Sequence, residues 1–296
     1  MVHRTLVRSA CWAARRLAWL PGRWRLLRWI DARHEAVSRL APGVVRLRRG
    51  IRMWLDPRDF VSRDLYIAGE YEPPVARVFD ALVRPDDVVF DVGANIGFFS
   101  LLSARRIRSA AGSGQVHAFE ASPPIQDLLR RNLALNNADN VTLHPLAVCD
   151  HDGTAQFHTA AGDYLGLSSL RALDGSSTTT HTVRCARPDS LRDLPPPTLL
   201  KIDVEGAEMQ VLQGARGCID AGQPWIIFEL TDAYLRQMGS SSTEILRWLT
   251  DRGYALHHIA TDGLHPLDPT DRRAVNVLAS PSGRTPPPSL QALLAD

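Results

Sequence analysis

Seven residues have the types and spacing to do chemistry together. Asp91, Gly93, Asn95 and Gly97 stand as D-x-G-x-N-x-G in VVFDVGANIGFFS, residues 88–100. Glu120 ends the apolar run of VHAFEAS, and Asp203 and Glu205 lie in KIDVEGAE, residues 201–208. Val88 to Phe90 with Val92 read as a buried strand, and the apolar residues after Gly97 fall at helical spacing. A carboxylate where that strand ends has no structural cause. A glycine at position 93 lets the chain turn tightly and lets a ligand approach the backbone. Gly97 lets the next helix pack close, and free N–H groups at a helix start favour the negative end of a ligand.

The ligand is narrowed by what the pattern lacks. A dinucleotide fingerprint reads G-x-G-x-x-G, but Asn95 occupies the place of its middle glycine. A pyrophosphate beside Asp91 would be repelled by a like charge. A ligand with a positive group fits better. S-adenosylmethionine carries an ammonium and a sulfonium and no phosphate. Glu120, at the end of the second strand, can accept both hydroxyls of a ribose, an arrangement dehydrogenases share. The pair Asp91 and Glu120 is therefore the more specific signal. Read without a ligand, Glu120 is a surface acid or a helix cap.

DVGANIG, HAFEASP and LLKIDVEGAEMQVLQGA together resemble the FkbM family of S-adenosylmethionine-dependent methyltransferases, with KIDVEGAE the most distinctive piece. The resemblance runs from about Gly69 to Leu230 and more loosely to Ala279, and GEYEPP before the first strand matches it too. It implies a class I methyltransferase Rossmann-like fold: a seven-stranded, mostly parallel sheet with helices on both faces and an antiparallel last strand. It also implies methyl transfer, usually to a hydroxyl oxygen on a sugar, glycolipid or secondary metabolite. Asp91, Gly93, Asn95 and Gly97 match the family's cofactor turn, and Glu120 its ribose acid.

Such a transfer needs the acceptor held about 3 Å from the methyl and its proton removed. Asp203 and Glu205 are the catalytic candidates: Asp203 nearest the methyl or the acceptor hydroxyl, Glu205 as base or orienting partner. Strand alternation would place both on one side, and two adjacent carboxylates raise one pKa. The plainer reading of Glu205 is a cap on the next helix. Lys201, two residues before Asp203, either pairs with it or faces a neighbouring helix. Glu72, with Glu70 in a lid-like segment, is placed over the methionine end of the cofactor, against a surface acid in a proline turn. Glu229 ends the fifth strand within reach of an acceptor. His144, His158, His257, His258 and His265 read as strand and loop residues. No metal site is expected, although strand-end carboxylates leave a metal-assisted variant open.

The elements that must position these groups alternate. Strands are expected at 88–92, 115–120, 141–148, 198–204, 225–230, 254–259 and 274–279. Helices are expected at 97–107, 124–136, 207–219 and 243–251. Strand-helix repetition means a mainly parallel sheet covered on both faces. The chain divides into a basic amphipathic leader (1–50), a hairpin and helical cap (51–87), the methyltransferase domain (88–281) and a proline-rich tail (282–296). Residues 153–190 interrupt the rhythm as a substrate-side insertion with two extra strands around DGSSTTT. Acceptor choice is expected there and in a loop at 231–242.

At 296 residues, 45% hydrophobic and 22% charged, the composition is that of a globular protein. Four cysteines without a CxxC pair (Cys11, Cys149, Cys185, Cys218) argue against a zinc site or a disulfide framework, so reduced thiols are expected. With no apolar run of about 18 residues, a cytoplasmic protein is expected. Arginines crowd before Ile51, where Asp31 and Glu35 are the only acids. Leu6, Val7, Ala10, Cys11, Ala14 and Leu17 share a helical face opposite Arg8, Arg15 and Arg16. Residues 1–33 thus either pack on the catalytic domain, touch an anionic membrane surface, or bind a partner. No nucleic-acid partner is expected, because the catalytic part has no basic stripe with interleaved aromatics and no N/D-P-P-Y/F motif. Two alternatives remain: a noncatalytic cofactor-binding partner in a biosynthetic complex, or a methyltransferase acting on nucleic acid. Oligomeric state is not legible.

Overall fold

The computed structural model describes residues 2–16, 23–160, 168–170, 178–268 and 275–294. The leader folds into helices α1 (Val2–Arg16), α2 (Arg23–Asp31) and α3 (His34–Ser38). Strands β1 (Gly43–Arg46) and β2 (Arg52–Leu55) make the hairpin expected from the alternation of VVRLRRGIRMWL (44–55), with its first strand before residue 51. Helices α4 (Phe60–Ala68) and α5 (Pro73–Leu82) follow. Asp59 caps α4 by accepting from the Ser62 amide, and Pro73 starts α5, where its missing N–H costs nothing.

Among the described residues the central sheet holds eight strands, one more than expected. These are β3 (Val88–Val92), β4 (Gln115–Phe119), β5 (Val141–His144), β10 (Leu199–Ile202), β11 (Trp225–Leu230), β12 (Tyr254–Ile259), β13 (Leu264–Pro266) and β14 (Val275–Pro281). Their order is β13-β12-β14-β11-β10-β3-β4-β5. Strands β3, β4, β5, β10 and β11 pair in parallel, and β14 runs antiparallel between β11 and β12. This is the expected sheet with its antiparallel last strand. The addition is β13, a three-residue edge strand that forms a hairpin with β12, too short to show a period of two.

Helices α6 (Phe98–Ser109), α7 (Pro123–Leu135), α8 (Glu208–Gly214), α9 (Arg216–Gly222), α10 (Asp232–Gln237) and α11 (Ser242–Thr250) connect the strands, and α12 (Pro288–Gln291) lies in the tail. Alternation along each strand supplies both layers. Val89, Val116, Leu199 and Ile227 enter the core shared with α5, α6 and the leader. Phe90, Val92, Leu200, Ile202, Ile226 and Phe228 enter the core beneath α8 to α11.

The leader is part of this body. Val7, Cys11, Ala14 and Ile30 are fully buried in the first of these cores, so α1 is packed on the protein by the face the sequence marked. Leu6, assigned to that face, is instead 53% exposed, and Leu17 lies outside the described residues.

Three boundaries moved for physical reasons. The strand expected at 141–148 splits, because Pro145 has no N–H to continue the ladder. Its second part, β6 (Ala147–Val148), joins a separate four-stranded sheet, β6-β9-β7-β8, with β7 (Gly153–Ala160), β8 (Ser168–Ser169) and β9 (Thr178–Ala186). The two extra strands expected in the insertion are therefore β7 and β9; residues 171–177 of its loop lie outside the described residues. The helix expected at 207–219 breaks at Ala215 into α8 and α9. The segment 231–242, read as a loop, contains α10.

Cys149 and Cys185 form a disulfide, with Cα atoms 6.0 Å apart. This corrects the expectation of four reduced thiols. The residues are 36 apart in sequence, and only the parallel pairing of β6 with β9 brings them together. Titration with a thiol reagent in denaturant, without reductant, is expected to find two thiols, those of Cys11 and Cys218. After reduction it should find four.

Candidate active site

The chain leaves β3 in one direction through β4 and β5, and returns on the other side through β10 and β11. The carboxyl ends of β3 and β10 are therefore the switch point of the sheet, where open α/β sheets bind ligands. A pocket opens there. Its wall includes Gly93 and Asn95 after β3, Glu120 after β4, Asp203 and Glu205 after β10, Glu229 of β11, and Glu72 and Tyr71 before α5.

The glycine turn is dictated by space. A Cβ on Gly93 would stand 1.8 Å from the Asp203 carbonyl oxygen, and φ is +79°. A Cβ on Gly97 would meet only the Leu129 side chain, at 2.3 Å, with φ +93°. Gly93→Ala must displace backbone, whereas Gly97→Ala can be met partly by a rotamer change. Gly93→Ala is expected to cost ~3 kcal/mol or more and Gly97→Ala about 1–2 kcal/mol, as read from urea midpoints. Among non-glycine residues, Asn95, Glu205 and Glu72 also hold positive φ (51°, 55° and 41°). That conformation is strained for an L side chain, and all three line the pocket.

Glu120 is buried and faces the pocket. Its Oε2 accepts from the Asn95 amide (2.9 Å) and its Oε1 from the Ser122 amide (2.8 Å). Burial pushes its carboxyl up to about 7, against these two amides. The turn after β3 and the acid after β4 are thus joined by a hydrogen bond, which motif reading treated as separate signals.

Asp91 is placed differently from the sequence expectation. It is 1% exposed and does not line the pocket. Alternation turns it, like Val89, toward α6, where the Ser100 hydroxyl donates to it (2.6 Å). Lys201, its register partner on β10, lies 3.9 Å from one Asp91 oxygen and 3.0 Å from Asp203. The ammonium also sits 4.9 Å from the Phe99 ring centroid. Burial pulls the Lys201 ammonium down, but the charges of Asp203, Asp91 and Glu72 outweigh it and leave it raised. Lys201 therefore pairs with Asp203, as one sequence reading had it, and also bridges to Asp91. Gly97 likewise stays off the pocket wall, at the start of α6.

Asp203 and Glu205 both reach the pocket, but not by strand alternation. β10 ends at Ile202, and Glu205 sits in a left-handed turn. The N-terminus of α8 has no side-chain cap at Ala207; Glu208 Oε1 instead accepts from the Gly206 amide in the turn before the helix (3.1 Å). Carboxylate oxygens of Asp203, Glu205 and Glu229 lie within 4.8 Å of one another. A divalent cation fits such spacing, and so does a cationic ligand or a hydroxyl. Glu229 accepts from the Thr231 hydroxyl (2.9 Å), and Glu72 from the Asn276 side chain on β14 (2.9 Å). Burial first, then the Asp203 charge, raises the pKa of both Glu72 and Glu229.

Glu70 does not join them; it is buried between Arg48 and Arg49. Sequence reading missed Tyr71 and Tyr234, both on the pocket wall. Tyr71 sits within GEYEPP, directly before Glu72. His117 and His144 pair ring to ring (His117 Nδ1 to His144 Nε2, 3.0 Å) and do not line the pocket.

The donor set is one-sided. Five carboxylates line the pocket (Glu72, Glu120, Asp203, Glu205, Glu229), and among the described lining residues there is no lysine, arginine or histidine. Phe60, Phe119, Leu146 and Phe157 supply apolar wall. A cationic ligand with a diol suits this set; a pyrophosphate does not.

The methyltransferase FkbM domain profile matches residues 91–256. Methyltransferase 1 of Beauveria bassiana is 28% identical over 53% of this chain and 66% of its own length. The 31-O-demethyl-FK506 methyltransferase FkbM of Streptomyces tacrolimicus is 32% identical, over 49% and 64%. The hexuronic acid methyltransferase AglP of Haloferax volcanii is 27% identical, over 51% and 59%. The chain thus spans less than two thirds of the length of each of these relatives.

Proposed function

The chain belongs to the FkbM methyltransferase family, and from that premise we propose that it moves a methyl group from S-adenosylmethionine to a hydroxyl oxygen of an uncharged acceptor. The observation that carries the reading is the five-carboxylate pocket at the switch point, with Glu120 buried in its wall. When bound, S-adenosylmethionine supplies a methyl already activated by a sulfonium. Glu120 accepts the ribose hydroxyls, Gly93 and Asn95 shape the backbone around the nucleoside, and Glu72 meets the cationic methionine end. Asp91 acts from below, through Lys201.

Asp203, held by Lys201, orients the acceptor hydroxyl. Glu205 and Glu229 stand within reach of the same point, and one of the two takes its proton. A carboxylate whose pKa burial has raised, as for Glu229, is the better proton acceptor near neutral pH. The acids disfavour an anionic group at the reacting end, so the uronate acceptor named for the Haloferax relative is not carried over. A sugar, a glycolipid or a hydroxylated secondary metabolite fits, and the aromatic wall suits the apolar face of a pyranose or a polyketide. No helix of the described residues is long and apolar enough to cross a membrane.

Calorimetric titration with S-adenosylmethionine and, separately, NADH tests the cofactor. Micromolar affinity for the first alone is expected. Good folding with no affinity for either would overturn the reading, and tight binding of the first with no turnover on any acceptor would favour the noncatalytic cofactor-binding alternative. Release of S-adenosylhomocysteine on mixing with a panel of hydroxylated acceptors then tests the transfer.

A further inference from the structure

Charge is divided sharply along the chain. Residues 1–50 hold twelve arginines against Asp31 and Glu35, a net charge of +10, so the remaining residues carry −8. The folded leader keeps much of this charge in water: Arg8, Arg16, Arg25, Arg28, Arg39 and Arg46 are exposed. The same region shows apolar surface. Leu6 (53%), Trp12 (55%), Val44 (52%) and Phe60 (44%) are four of the five large hydrophobic side chains most exposed among the described residues. Trp12 and Val44 border one groove with Leu40 and Pro42, and Arg8 and Arg39 stand on its edge. Phe60 also lines the catalytic pocket.

We propose that this groove and the arginines around it form a docking surface for an anionic lipid bilayer. The apolar stripe of α1 is not the membrane face, because Val7, Cys11 and Ala14 are already buried in the protein. The opposite face, with Trp12, is the one left for lipid. An exposed tryptophan among arginines suits the headgroup boundary, where an amphipathic ring and cationic side chains each find their preferred partner. A leaflet rich in anionic lipid attracts each arginine near its surface. A nucleic acid would satisfy the arginines but leaves Leu6, Trp12 and Val44 in water. Docking needs neither cofactor nor acceptor, so it stands or falls apart from the methyl-transfer reading.

The test is flotation of the full chain with vesicles of phosphatidylcholine alone or with about one third phosphatidylglycerol, at low and high salt. Binding to the anionic vesicles only, weakened by high salt, is expected. The variant Arg8→Glu/Arg39→Glu should lower partitioning about tenfold or more, and Leu6→Ser/Trp12→Ser should lower it at either salt. Arg130→Glu, an exposed change on α7, should leave it unaltered. These are surface positions, and unchanged melting temperatures confirm folding. Equal binding to both vesicles, or none, overturns the proposal. So does retention on duplex RNA that Arg8→Glu/Arg39→Glu abolishes while Leu6→Ser/Trp12→Ser does not, since that would mark a nucleic-acid surface.

Discussion

Replacing Glu120 by glutamine is expected to weaken S-adenosylmethionine binding about 100-fold. A charge-assisted hydrogen bond contributes about 1.5–3 kcal/mol, and about 2.7 kcal/mol corresponds to two decades of affinity. The change also disturbs the two backbone amides that Glu120 accepts from, so the melting temperature must be measured beside the titration. The pH dependence gives an independent readout. Binding requires the carboxylate, and burial sets its pKa at about 7 in the free protein. Affinity should therefore be about tenfold lower at pH 6 than at pH 8, and Glu120→Gln should remove that slope.

Stability of the free protein should move the other way. A carboxyl whose folded pKa is raised favours the folded state below its unfolded value and loses that contribution as pH rises through the folded pKa. For Glu120, and for Glu208, which burial also raises to about 7, the loss falls between about pH 4.5 and pH 7. The melting temperature of the free protein should fall across this range while the shift produced by the cofactor grows. Parallel changes of the two would remove Glu120 from the ligand's reach.

Asp203→Asn is expected to lower kcat by about 10²-fold once an acceptor is in hand, through lost orientation of its hydroxyl, while S-adenosylmethionine affinity changes less than about threefold. Asp203 reaches the pocket in one cluster with Glu205 and Glu229, to which Glu120 does not belong, and so is expected to bear on the acceptor more than on the nucleoside. Lys201→Met gives the contrast. Lys201 is 4% exposed and stands between Asp203 and the fully buried Asp91. Its removal leaves Asp91 without a cation, which is expected to cost about 3–5 kcal/mol of stability. Denaturant midpoints for the two variants separate the roles. If Asp203→Asn loses stability rather than turnover, the carboxylate is structural and the orientation of the acceptor hydroxyl falls to Glu205 or Glu229.

The sequence by itself determined the parts that follow from local rules. Four apolar residues around Asp91 (Val88 to Phe90 and Val92), then a glycine that alone can hold φ +79° against the Asp203 carbonyl, specify a strand, a tight turn and a ligand at the turn. Alternating strands and helices specify a parallel sheet, and the sheet places strand ends 91–97, 120 and 203–205 along one edge. The leader's apolar stripe, Val7, Cys11 and Ala14, was legible for the same reason: its period is that of the helix.

Tertiary structure decided what depends on neighbours distant in sequence. Asp91 reads as a ligand contact in its motif, yet Ser100 and Lys201 hold it under α6, because strand alternation gives it that face. Tyr234 and Tyr71 join the pocket only when α10 and the segment before α5 converge there. The Cys149–Cys185 bond depends on β6 lying beside β9, which no spacing of four scattered cysteines encodes. Strand β13 forms because β12 offers it an open edge, and three residues are too few to carry a pattern of their own. A motif specifies which groups are present and their order along the chain, whereas the direction each group faces is set by the packing of elements it never meets in sequence.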